Sequence, residues 1–169
     1  MPTIYAGGAT TQKVFQYDPS NMSKVAESLD YGGEIRALTA LGSYIYGGGK
    51  TLQKVWQIDP ADMSKVAESL DYGGGIYALT ALGSYVYAGG FKINKVWQID
   101  PADMSKIAES LTYGGAIFAL TALSPYVYAA GITTDKVFQY DPTDMSTVAE
   151  SLDYGGTIRA LTALSPYVY

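Results

Sequence analysis

The sequence predicts an all-β fold made of repeated four-stranded antiparallel sheets, and three observations carry that prediction. Asp-Pro recurs at Asp18, Asp59, Asp100 and Asp141, a constant spacing of 41; "YGG" (Tyr31, Tyr72, Tyr113, Tyr154) and "KV" (Lys13, Lys54, Lys95, Lys136) keep the same register. The chain is 48% apolar with 16 tyrosines and 19 glycines, a mixture of aromatic strand formers and turn residues. Within each repeat, short β-branched and aromatic runs are bounded by Gly, Ser, Asp or Pro.

The elements of one repeat follow in order from residues 75–115. "IYALTAL" carries apolar residues on both faces, as a strand buried on both sides requires (strand A). "SYVYAG" is β-branched and aromatic and follows a Gly-Ser turn (strand B). "NKVWQID" alternates and stops at Asp-Pro, where Pro presets φ and Asp can bond the backbone ahead of it (strand C). The fourth segment, which reads "DMSKVAESL" at 62–70 in the preceding repeat, is ambiguous. Met63, Val66, Ala67 and Leu70 fall at helical spacing, and as a strand only Val66 and Leu70 share a face. Its shortness, and the fourth strand that a unit of this period needs, decide for a strand D. A period of 41 also suits armadillo and HEAT helical repeats, but three β runs per repeat exclude them. Residues 34–74 and 75–115 differ at ten of 41 positions, the mark of recent amplification or engineering.

The stretch "KVWQIDPADMSKVAESLDYGGGIYAL" resembles repeats of the β-propeller superfamily, especially the quinoprotein-like and YVTN-like blades. The resemblance runs over the whole chain. It implies one domain, 1–169, with blades at 34–74, 75–115 and 116–156 and a closing blade from 157–169 plus 1–33. The near-identity of the blades is also similar to that of engineered or recently amplified symmetric propellers. Propellers host lectins, scaffolds and enzymes alike, so the resemblance speaks for fold more than function. No tryptophan docking or metal-site pattern of the quinoproteins is present, and no cofactor is expected.

Tyr5 and Tyr169 are 164 residues apart, four periods, so "MPTIY" aligns with "SPYVY" and strand B is written twice. One copy is expected to pair while the other is loose or exchanged between chains. Two closures fit: four blades within one chain, or an eight-bladed ring shared by two chains. The homodimer with two-fold symmetry is the preferred reading.

Composition narrows the partners. A net charge of −5 and a pI near 4.5 disfavour a nucleic-acid partner. There is no cysteine or histidine, which removes disulfides, thiolate metal sites, the commonest general base and the commonest metal ligand. "MPTIYAGG" lacks the pattern of a signal peptide. The uncharged stretches Tyr72 to Phe91 and Tyr113 to Thr134 are long enough to span a bilayer, but Gly, Thr and turn residues interrupt them. They read as paired strands, so no membrane partner is expected; the compartment stays open.

Candidate site residues come from comparing the repeats. Variation concentrates in two sets. One follows "YGG": Glu34, Gly75, Ala116 and Thr157, then Arg36, Tyr77, Phe118 and Arg159. The other is the B–C loop, with Lys50 and Phe91 among its residues. In a four-stranded meander the D–A and B–C connections emerge on one face, near the channel mouth. Arg36, Tyr77, Phe118, Arg159, Lys50 and Phe91 are therefore the candidate ligand-binding residues, since Arg and aromatics suit anionic, planar or protein partners. Drift of exposed loops explains the same variation without a ligand. Asp59, Asp62 and Ser64 offer oxygens but match no calcium loop and read as a hydrogen-bonded turn. Glu27, Glu68, Glu109 and Glu150 read as a solvated outer edge. Tyr44, Tyr46, Tyr85 and Tyr87 could stack on sugars, though interblade packing needs the same spacing. The expected function is a non-catalytic scaffold or binding module, with a multivalent glycan-binding lectin as the alternative. No enzyme is expected, because the varying carboxylates Glu34 and Asp135 stand isolated in sequence.

Overall fold

A computed structural model describes residues 3–169, and every element assigned within it is a strand. The first sheet has three strands, β1 (Ile4–Gly7), β2 (Val14–Tyr17) and β3 (Lys24–Glu27). Three four-stranded sheets follow. The first of them holds β4 (Ile35–Leu41), β5 (Tyr44–Gly49), β6 (Val55–Ile58) and β7 (Lys65–Glu68). The next holds β8 (Ile76–Leu82), β9 (Tyr85–Gly90), β10 (Trp97–Ile99) and β11 (Lys106–Glu109). The last holds β12 (Ile117–Leu123), β13 (Tyr126–Gly131), β14 (Val137–Tyr140) and β15 (Thr147–Glu150). The chain finishes in a hairpin, β16 (Ala163–Leu164) with β17 (Tyr167–Val168). All pairings are antiparallel and join consecutive strands.

The fourth segment is a strand in every repeat. Met63 leaves the apparent helical stripe because it belongs to the turn: its N–H donates to Asp59 O at 2.7 Å, and its φ is 62°. Its side chain is buried, while Val66 and Leu70 face outward and Ala67 packs against the core. The Asp-Pro turn is closed by its own carboxylates. Asp59 accepts from Ala61 N and Asp62 from Ser64 N, at 2.8 and 2.9 Å. At the D–A link the first glycine of each "YGG" stands at φ 81–91°, a conformation that favours residues without Cβ.

The long first strands of successive sheets run side by side, β4 against β8 and β8 against β12, with β1 beside β4 and β16 beside β12. The core lies between sheets. Tyr46 and Val55 of one sheet pack with Ile76, Leu79, Val86 and Trp97 of the next, and Ala78 and Tyr87 with Ile117, Leu120 and Val127 one step on. A regular bond links the sheets: the side-chain amide of Gln16, Gln57 and Gln98 donates to the carbonyl of Pro60, Pro101 and Pro142 respectively, at 3.0–3.4 Å. The stretches Tyr72 to Phe91 and Tyr113 to Thr134 are strand pairs, and no helix among the described residues is long and apolar enough to cross a membrane.

Both copies of strand B are paired over their described residues (Met1 and Pro2 lie outside them), where one was expected to be loose or exchanged. β1 is the edge of the first sheet and corresponds to the second strand of the other repeats, with Ile4 opposite Tyr17 as Ile45 lies opposite Ile58. The C-terminal copy folds back on its own first strand, with Thr162 and Tyr169 exchanging backbone bonds. The hairpin satisfies backbone groups that would otherwise lack partners. Neither β16 nor β17 is hydrogen-bonded to β1–β3.

Candidate functional site

Each first strand begins with a bulge, and the bulge carries the variable residue. The ladder between β4 and β5 slips between Ile35 and Ala37, leaving Arg36 as the extra residue; Tyr77 and Phe118 hold the same place in β8 and β12. A bulge re-aims a side chain by leaving one residue unpaired and bending the strand locally. Arg159 occupies the matching position in the fourth repeat, where Ile158 N donates to Gly131 O at 2.9 Å as Ile35 N does to Gly8 O at 3.3 Å.

These four residues, 41 apart in sequence, line one cavity of about 290 Å³. The Arg36 guanidinium lies 5.7 Å from the Tyr77 ring centre, the Tyr77 and Phe118 rings are 5.6 Å apart and tilted by 38°, and the Arg159 guanidinium lies 5.2 Å from the Phe118 ring centre. The row is cation, ring, ring, cation. Both arginines are exposed and both rings half-buried. The two cations differ in electrostatic setting. Glu34 accepts from Arg36 Nε at 2.8 Å and from Nη2 at 2.5 Å, whereas the fourth repeat has Thr157 in place of that carboxylate.

The second variable set sits beside the first. Lys50 N donates to Glu34 O at 3.0 Å and Phe91 N to Gly75 O at 2.8 Å, so Lys50 and Phe91 flank the same end of the sheets. Their side chains do not line the cavity of the four bulge residues. Sequence comparison found the positions; it did not find the bulge or the Glu34 pairing. The ten variable positions carried no sign of a broken ladder, although Glu34 two residues before Arg36 was the available signal for the ion pair.

The remaining motifs have local roles. Glu27 bridges Lys13 and Lys24, Glu68 bridges Lys54 and Lys65, and Glu109 bridges Lys95 and Lys106. The lysines beside Glu27 hold its carboxyl down at about 2, and those beside Glu68 and Glu109 also lower theirs. Tyr46 and Tyr87 are fully buried, with hydroxyls that accept from Gln57 and Gln98 at 3.1 Å. Tyr44 and Tyr85 are half-buried and line grooves between neighbouring sheets, at the opposite end of the strands from Arg36. Among the described residues, no group of three or more His, Cys, Asp or Glu is placed to hold a metal ion.

No family model matches the chain, and no curated protein matches it. Among solved structures it is similar to the crystal structure of the computationally designed Ika8 protein, with a TM-score of 0.83 at 14% identity. The match covers 98% of this chain and 51% of that one, so this chain spans about half its length. The likeness at that identity is one of all-β fold.

Proposed function

We propose that the chain is a non-catalytic scaffold that closes with a second copy into an eight-bladed β-propeller ring. One observation carries the reading. Tyr31, Tyr72 and Tyr113 are each 1% exposed, yet Tyr154, the same residue one repeat later, is 76% exposed. The three buried tyrosines pack on Trp56, Trp97 and Phe138, with ring centres 4.8–5.1 Å apart. Their hydroxyls donate to the carbonyls of Lys54, Lys95 and Lys136. One step further along the repeat, the residues that would receive Tyr154 are Phe15 and Lys13 of a second copy. Gln139 tells the same story: its amide reaches Tyr128, and the acceptor corresponding to Pro60, Pro101 and Pro142 is Pro19 of a second copy. The opposite face is its complement, since Met22 is 59% exposed where Met63, Met104 and Met145 are 1% exposed.

The two faces differ and fit each other, so the contact is heterologous; two such contacts related by a two-fold axis close a ring. Each closing blade then takes its first strand from 157–164 and its outer strands from the second copy's β2 and β3. The half-length match to a longer chain of the same fold supports this count. Tyr154→Ala tests it. Loss of a central buried aromatic weakens association by about 2 kcal/mol or more, read by light scattering across a dilution series. Association unchanged by the substitution would contradict the proposal.

A second reading is favoured by one observation. The grooves of about 540 and 480 Å³ that hold Tyr44 and Tyr85 repeat at successive sheet boundaries, each with a Gln amide and a Ser hydroxyl beside the ring. Such a groove suits a sugar, and one weak site per boundary gains avidity by repetition. Glycan-array binding lost on Tyr85→Ala supports this reading, and a blank array removes it.

A further inference from the structure

The row of bulge residues has a consequence at the seam of the ring. Neighbours in the row stand one repeat apart, and each pair is in contact at 5.2–5.7 Å. The same step taken from Arg159 arrives at the second copy's Arg36. Closure therefore sets two guanidiniums side by side with one carboxylate between them, since Arg36 brings Glu34 while the fourth repeat offers only Thr157. Each seam is left with an uncompensated positive charge. The charge lies in an otherwise acidic molecule, against half-buried aromatic walls that weaken screening by water.

The geometry leaves the right donors free. The Arg159 guanidinium lies 5.2 Å from the Phe118 ring centre, and among the described residues no carboxylate pairs with it, so its N–H donors remain available. Arg36 commits Nε and Nη2 to Glu34, which leaves Nη1. A singly charged anion would have to compete with Glu34 for one face of one arginine. An anion with several charged oxygens can bond the in-plane donors of Arg159 and the free Nη1 of Arg36 together, with Glu34 still in place. We infer that the seam between Arg159 and the second copy's Arg36 binds a small multivalent oxyanion of the di- or triphosphate class. This inference rests on the ring proposed above.

The test titrates the full chain with inorganic triphosphate by calorimetry, against sodium chloride at matched ionic strength, while light scattering follows the mass. The expected result is one triphosphate per chain and a dimer held more tightly in its presence. Arg159→Gln is expected to weaken triphosphate binding about tenfold or more, as loss of a charge-assisted contact does. Thr157→Glu keeps the arginine and its packing on Phe118 but supplies the missing carboxylate; it is expected to weaken binding to a similar degree. A dimer that shows no triphosphate binding beyond the salt control, or binding that survives both substitutions, overturns the anion site and leaves the ring standing. A chain that stays monomeric with and without triphosphate overturns the ring, and the seam with it.

Discussion

Tyr140 shows how the repeat tolerates a misfit. Its counterparts Ile58 and Ile99 are fully buried hydrocarbons and Tyr17 is a half-buried tyrosine; Tyr140 is as buried as the isoleucines, and its hydroxyl, beside Ser110, makes no well-formed hydrogen bond among the described residues. Burial pushes the phenol up to about 12 from its usual value near 10. Because the folded-state value is raised, the stability tied to the neutral phenol is complete below about pH 10 and is lost as pH rises through about 12. Tyr140→Phe removes both the unpaired hydroxyl and the titration. It is expected to raise stability by about 1 kcal/mol at neutral pH and to lessen the loss of stability between pH 10 and 12, to which the buried Tyr31, Tyr46, Tyr72 and Tyr87 also contribute, measured by urea melts across that range. Gly90 is constrained in the opposite sense, by space: a Cβ there would collide with the Gly75 carbonyl, so the position admits no side chain without moving the backbone.

At the scale of the element, Ser69 explains why the outer strands hold. Its backbone N–H donates to Val55 O and its hydroxyl accepts from Val55 N, both at 2.9 Å, while the hydroxyl donates to Leu70 O. Ser28 makes the same three bonds with Val14 and Leu29, and Ser110 with Val96 and Leu111. Ser69→Ala leaves a buried N–H unpaired and is expected to cost about 1–3 kcal/mol, measured by equilibrium denaturation. A change below about 0.5 kcal/mol, the size of an ordinary surface substitution, would show that water replaces the hydroxyl.

Much of this level was legible in the sequence. Turn residues and alternation marked strands A to C, and the fixed period placed the fourth. The role of "DMSKVAESL" was harder to see, because the buried Met63 serves the turn while the strand behind it turns Val66 outward. Neither fact leaves a periodic trace. The bulge at Arg36, Tyr77 and Phe118 was invisible for a related reason: a ladder slip depends on how two strands meet, not on the residue that occupies it. The variable residues themselves stood out, since divergence among near-identical repeats marks position without structure.

At the scale of the whole molecule, the two end faces govern behaviour. One presents Tyr154 and Gln139, the other Met22, and each displays what its repeats bury elsewhere. An exposed edge of this kind invites pairing with whatever matches it, and in the proposed ring the second copy would supply Phe15, Lys13 and Pro19 at the places the repeat calls for. The most direct measurement is the mass in solution by light scattering or sedimentation equilibrium. A shared ring gives a discrete species of twice the 18.1 kDa chain mass that persists on dilution. A stable species of the chain mass itself would contradict it.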